Sequence, residues 1–440
     1  MTQKLNLKTK FLMGVTLFSM FFGAGNLIFP PYLGAQAGTS AWTAFIGFAM
    51  SAVGLPVLGV IAVTVSGGLN ALASRVHPKF AFVYIAVLYL AIGPCLAIPR
   101  TASTSFSMAG PPFLPESVPE APVQLLYTIV FFLAASLVAM HPEKLTEYLG
   151  KRLTPVLLTL IAALFLAALV NPAGPAAAPA EAYASAAPVE GFLYGYQTMD
   201  TLAALNFGMI VALNVQALGV REEKAVTGET VFAGWIAGAL LLAVYAMLTF
   251  VGQLSGTAFP GTADGTEVLM RTAEHLFGKA GALILALIFV IACFNTCVGL
   301  LSCCGKYFNG CFPRIGYRAW VWGFAAVSAV LANVGLEAIL LFSVPVLNAI
   351  YPLAILLIAL AFLKKALARF PAVYPWTALL CGVSSVLTVL EQQGLSIPGV
   401  TGLIHAIPGY AAGFGWLLPT VLGAGIGVLW SVMRRKDSRP

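Results

Sequence analysis

Charge is scarce in this chain. Of 440 residues, 9% are Asp, Glu, Lys or Arg and 60% are hydrophobic, against about 25% charged in a typical soluble domain. Such a chain cannot clothe a water-facing surface, which excludes an ordinary soluble enzyme or binding module and points to a membrane protein. Histidine is scarcer still: His77, His141, His275 and His405 are the four, and they fall in separate loops. A membrane enzyme built on clustered His, Asp and Glu at one membrane face has no such cluster to use. None of the seven cysteines forms a Cys-x-x-Cys pair. Cys293 and Cys297 stand one helical turn apart without His or thiolate partners, so they read as core packing. No small-residue cleavage site follows the first apolar run, and Met1 to Lys10 reads as the flank of a retained first span.

Apolar runs are abundant. About 20 apolar residues cross a bilayer, and such windows fall at roughly 11–36, 41–64, 80–106, 122–140, 153–171 and 192–219. They continue at roughly 230–251, 279–305, 317–335, 338–363, 373–391 and 411–433. Twelve spans place both termini on one side. With that side cytoplasmic, every Lys and Arg except Arg100, Arg271 and Lys279 falls on an inner loop, the asymmetry expected of a membrane protein. The net charge of +7 is therefore a topology signal, not a nucleic-acid patch.

Residues 172–190 form a Pro/Ala-rich outer linker between spans five and six. Residues 267–278 place Leu269, Met270, Ala273, Leu276 and Phe277 on one face of a short outer helix, a lid or an interfacial anchor. If spans one to five (1–171) and six to ten (191–363) are halves, each crosses an odd number of times, so the second is inverted. Residues 364–440 add two spans and a cytoplasmic tail. An inverted repeat predicts interruptions in the first helix of each half, and both are present. Span one carries Ser19-Met-Phe-Phe-Gly-Ala-Gly-Asn-Leu-Ile-Phe-Pro-Pro31, and span six carries Gly195-Tyr-Gln-Thr-Met-Asp200.

Amides at Gly23, Ala24 and Gly25 would open a helix and attract a carboxylate; the alternative is close helix packing. Carbonyls at Ser19, Met20, Phe21 and Phe22 would close the preceding half and suit an ammonium group or sodium. In span eight, Ala292, Asn295 and Thr296 share a helical face that either binds an ion or back-bonds. Asp200 is an acid inside a span, with three roles open to it: binding a substrate amine, relaying a proton, or holding the unwound segment. Arg100, 20 residues after Phe80, should lie about 30 Å along the helix, near the outer surface. There it would anchor or pair with Glu116 or Glu120; a gate is the other reading. Prolines interrupt span three (Ile92-Gly-Pro-Cys) and span ten (Ser343 to Pro352). Pocket walls from these spans would be Ile, Leu, Val and Tyr with few charges, favouring an apolar substrate side chain.

Phe22-Gly-Ala-Gly-Asn-Leu-Ile-Phe-Pro-Pro31, Gly93-Pro…Ala97-Ile-Pro-Arg-Thr101, Gly195-Tyr-Gln-Thr-Met-Asp200 and Val344-Pro…Ile350-Tyr-Pro352 together resemble the branched-chain amino acid:cation symporter (LIVCS) family, the BrnQ-type carriers of bacteria. The likeness keeps its order over nearly the whole chain. It implies the amino acid–polyamine–organocation superfamily and an all-α LeuT-like fold of five-plus-five inverted repeats with two extra C-terminal helices. It also implies import of leucine, isoleucine and valine across the inner membrane by symport with Na+, or H+ in some members, through alternating access. Gly23, Ala24 and Gly25 would bind the carboxylate, and carbonyls near Met20 and Tyr196 the amine. Asn26, Gly195 and Thr198 complete the candidate pocket. Ser19, Phe22 and Ala292 with the Asn295 and Thr296 side chains would hold Na+. Where some fold relatives place an arginine just past the glycines as an outer gate, Leu27, Ile28 and Phe29 stand here, so closure is expected to be apolar. A proton-coupled carrier or exchanger of other neutral amino acids is the nearest alternative; a channel or sensor is further off.

Overall fold

The computed structural model describes residues 5–115, 117–395 and 400–437; Glu116, Lys4 and Arg439 lie outside them. Among the described residues there are helices and no strands, as expected where only a self-satisfied backbone tolerates lipid. Among the described residues nine helical stretches are long and apolar enough to cross a membrane, or ten counting one bent pair. The chain divides into two compact units, Met1–Val60 with Leu90–Leu340, and Ile61–Tyr89 with Leu341–Pro440.

The first unit contains both expected breaks. The helix Leu7–Phe21, capped by Asn6 on the Thr9 amide, has 15 residues. At 1.5 Å per residue that is about 22 Å, short of a bilayer's hydrocarbon core. The chain leaves helical geometry at Phe22 (ψ 90°) and Gly23 (φ −123°, ψ −153°), then restarts as Ala24–Ala37. This second half runs against the helix Glu223–Gln253 with backbones nearly touching. A Cβ on Gly34 would stand 2.0 Å from the Thr249 carbonyl oxygen, and one on Gly252 would stand 1.9 Å from that of Pro31. Small residues permit such contacts between membrane helices.

The second break has the helix Glu181–Gly195, a tight turn at Tyr196–Thr198, Met199 in the left-handed region (φ 65°) and the helix Asp200–Ala217. The two helices bend by 45°. The expected linker at 172–190 is thus helical from Glu181. An alanine-rich run favours helix, Glu181 suits its N-terminal dipole, and the Pro188 carbonyl packs where a Cβ on Gly47 would otherwise be.

A third break falls at Gly93 (φ −94°, ψ −126°), in the wide turn Ala91–Cys95 that precedes the helix Ala97–Ala109. The helix Lys279–Cys311 buries Cys293, Cys297, Cys303 and Cys304 as free thiols, in keeping with core packing. The short outer helix Gly265–Phe277 buries Val268, Leu269, Thr272 and Ala273. A Cβ on Gly265 would meet the Ile28 carbonyl at 1.8 Å. Of the expected apolar face, Leu269 and Ala273 are buried while Met270, Leu276 and Phe277 are half-buried, and the helix packs on Ala24–Ala37 and Lys279–Cys311.

In the second unit, Leu336–Phe362 runs as a helix through Pro345 and Pro352. The helix Val373–Gln392 packs on Leu417–Asp437, where Gly427 lies against the Val373 backbone. The Tyr84 hydroxyl donates to the Ile350 carbonyl at 3.3 Å.

Candidate functional site

The two breaks meet through side chains. Asn26 accepts the Gly23 N–H at its Oδ1, 3.0 Å away, and donates from Nδ2 to Asp200 Oδ2 at 2.7 Å. Tyr245, on the Glu223–Gln253 helix, donates to the same Asp200 oxygen at 2.6 Å, and Asn26 Nδ2 also donates to the Tyr245 hydroxyl. All three side chains are buried. A buried carboxylate is tolerable only when paired and hydrogen-bonded, and Asp200 receives two side-chain donors at the start of its helix, where the dipole favours an acid. It therefore joins one broken helix to the other. Tyr245 was not among the sequence candidates.

Beside this triad lies a small cavity lined by Met20, Phe21, Gly23, Ala24, Gly25, Asn26, Ile92, Ala97, Arg100, Thr101, Thr198, Met199, Asp200, Ala203, Thr296 and Leu300. Of the expected substrate residues, Met20, Gly23, Ala24, Gly25, Asn26 and Thr198 are brought together there. Gly195 and Tyr196 are not among the lining residues. A Cβ on Gly195 would stand 2.0 Å from Ser51 Oγ, which makes Gly195 a packing position. Tyr196 packs its ring on Phe192 at 5.4 Å, and its carbonyl accepts the Met199 N–H at 3.1 Å. The Gly23 amide is occupied by Asn26, so the opening amides left for a ligand are those of Ala24 and Gly25, the first two residues of their helix. Such amides have no partner one turn back.

Of the ion-site candidates, Thr296 packs against Gly23 at the break and also lines the cavity. Thr296 Oγ1 would be 2.7 Å from a Cβ placed on Gly23. Ser19 Oγ, both polar atoms of the Asn295 amide and Thr296 Oγ1 are buried without a hydrogen-bond partner among the described residues. Ala292 and Phe22 are buried too. Each buried unpaired group costs about 1–3 kcal/mol, and uncharged oxygen donors suit a hard cation.

Arg100 departs from expectation. It is 3% exposed, lines the cavity, lies over the Phe29 ring at 5.1 Å and donates from Nη1 to the Gln197 carbonyl at 3.4 Å. The helix breaks at Gly93 and restarts at Ala97, leaving Arg100 in a new first turn and buried instead of exposed. Glu120 is exposed, and Glu116 lies outside the described residues. Past the glycines Arg100 lies over Phe29, and Arg100 and Asp200 are the two charged residues that line the cavity.

Broken helices whose freed termini and buried polar groups surround a cavity within a membrane bundle are the architecture of a LeuT-like transporter fold. Two solved structures share the architecture. Mhp1, a nucleobase-cation-symport-1 family transporter in a closed conformation with bromovinylhydantoin bound, has a TM-score of 0.59 at 12% identity, covering 97% of this chain and 93% of its own. MhsT in complex with L-phenylalanine has 0.54 at 15%, covering 98% and 99%.

The model of the branched-chain amino acid transport protein family matches residues 6–434, and the chain belongs to that family, one of transporters and not enzymes. The branched-chain amino acid permease BraB of Bacillus subtilis is 39% identical, with 97% of this chain and 96% of that protein covered. BrnQ of the same organism is 38% identical over the full length of both. BrnQ of Escherichia coli K12 is 36% identical, with 98% and 97% covered.

Proposed function

We propose that this protein imports leucine, isoleucine and valine by symport with Na+ across the bacterial inner membrane, through twelve spans with both termini cytoplasmic. The observation that carries the coupling reading is the set of buried, unpartnered polar atoms on Ser19, Asn295 and Thr296, of which Thr296 packs against Gly23. The amino acid occupies the cavity that Gly23 and Thr296 line. Its carboxylate meets the Ala24 and Gly25 amides, its ammonium group meets the carbonyls ending the inner half-helix near Met20, and its branched side chain lies among Ile92, Ala203 and Leu300. Sodium bound between the break and Thr296 orders Gly23, and so pre-organises the opening amides for the carboxylate. Binding of one cargo thereby favours the other, and movement of the broken helices against the rest exposes the site to each side in turn.

A second reading couples uptake to protons through Asp200, favoured by its burial and its bonds to both Asn26 and Tyr245. Uptake of labelled leucine into proteoliposomes separates the two. An inward Na+ gradient at equal pH should drive concentrative uptake, and a proton gradient without Na+ should not. The reverse result transfers coupling to Asp200, and uptake that neither gradient concentrates overturns symport.

A further inference from the structure

We propose that Arg100 is a substrate-binding residue: its guanidinium grips the carboxylate of the transported amino acid together with the Ala24 and Gly25 amides, making the pocket selective for a free carboxylate. This rests on the amino-acid transport reading above. Four observations carry it. Arg100 is almost wholly buried, and its Nε and Nη2 have no hydrogen-bond partner among the described residues. Both Arg100 and the opening residues of the Ala24–Ala37 helix line the one cavity. A Cβ on Gly25 would stand 2.5 Å from Arg100 Nη2, so the guanidinium is held against the backbone at the helix start, and the lack of a side chain at Gly25 is what admits it. The Phe29 ring beneath and the Gln197 carbonyl at its edge fix the plane of the fork.

Arg100 stands in the first turn of its own helix, where a cation is disfavoured by the helix dipole. Its nearest polar partner is a carbonyl, which does not neutralise it. Asp200 lines the same cavity, but its Oδ2 is taken by Asn26 and Tyr245. What this arrangement lacks is a small anion with two oxygens in a plane, and a carboxylate meets the two open donors of a guanidinium in that geometry.

The test compares L-leucine with L-leucinol, which keeps the amine and side chain but replaces the carboxylate by an uncharged alcohol. Each competes against labelled leucine in proteoliposomes carrying wild type, Arg100→Lys or Arg100→Gln. Arg100→Gln should weaken leucine by about thirtyfold or more while leaving leucinol within about twofold, so that discrimination collapses. Arg100→Lys keeps the charge but not the fork; it should weaken leucine by roughly tenfold, again without moving leucinol, and it decides the matter if Arg100→Gln does not fold. Equal losses for both ligands, or unchanged discrimination, overturn the role of Arg100 while wild-type leucine uptake leaves the transport reading standing. A wild type that binds no branched-chain amino acid overturns both.

Discussion

If the Asn26–Asp200–Tyr245 triad ties the two broken helices together, Tyr245→Phe should destabilise the fold far beyond the loss of one oxygen atom. The Tyr245 hydroxyl lies 2.6 Å from Asp200 Oδ2 on a ring that is 0% exposed, packed on Phe48 at 5.4 Å. Phenylalanine fills the same space, so no cavity term enters. A hydrogen bond to a buried carboxylate is worth about 1.5–3 kcal/mol, and Asn26 Nδ2 also loses an acceptor, so the loss should be at least about 2 kcal/mol. Asn26→Ala removes the other donor to Asp200 and the cap on the Gly23 N–H, the latter about 1 kcal/mol by itself. Because Asn26 and Tyr245 bond each other and share one acceptor, the double variant should lose less than the sum of the two, by about 0.5–1.5 kcal/mol. Reversible unfolding of the detergent-solubilised protein measures all three, with Tyr84→Phe as the control. That hydroxyl donates to an uncharged carbonyl at 3.3 Å, so its loss should be about 0.5–1 kcal/mol. Additivity within about 0.3 kcal/mol, or a Tyr245→Phe loss no larger than the control, would refute the triad as the joint.

Thr296→Ala removes a candidate Na+ ligand, and it should raise the half-saturating sodium concentration by roughly tenfold, about 1.4 kcal/mol, while leucine affinity at saturating sodium changes less than threefold. An unaltered sodium response in that variant would move the ion elsewhere. In the outer helix, Glu267 accepts the Ala263 N–H at 2.7 Å and pairs with Arg271 at 2.5 Å; the backbone bond first, and Arg271 after it, hold its carboxyl below the ordinary 4.5. A lowered carboxyl stabilises fully above the ordinary value, and that contribution is lost as pH falls through the lowered one. Hydrogen exchange at residues 263–268, corrected for intrinsic rate, should therefore speed up as the medium is acidified below about pH 4.5, and Glu267→Gln should abolish that response. Persistence of the response in the variant would assign it to another group.

Much of this protein is legible in one dimension because the bilayer imposes one-dimensional rules. A span must be long, apolar and helical, so hydropathy alone marks the membrane helices, and local backbone chemistry alone marks the breaks at Gly23 and the Gly195–Asp200 turn, whereas at Gly93 it marks only a proline inside a helix. The amphipathic helix at 265–277 and the core cysteines follow from the same periodicity. The residues Met20, Gly23, Ala24, Gly25, Asn26 and Thr198 could be named because they fall at or beside the two interruptions, where a helix in lipid loses its internal hydrogen bonds.

What the sequence could not show is which polar groups find each other. Asn26 meets Asp200 across 174 positions, and Tyr245 joins them from a third helix; no spacing rule links such residues, and the packing of Gly34 and Gly252 against opposing backbones is what brings the helices of Asn26 and Tyr245 together. Gly195 and Tyr196 look the same in sequence as the cavity residues but spend themselves on Ser51 and Phe192. Arg100 is the clearest case. A straight-helix ruler carries it to the membrane surface, whereas the break at Gly93 resets the helix and delivers a buried cation to the Ala24–Ala37 helix start. Sequence determines where a membrane helix must exist and where it must fail, because both are local properties of the backbone in lipid. Tertiary structure decides what the failure faces, because a buried charge or amide is satisfied only by groups that other helices bring to it.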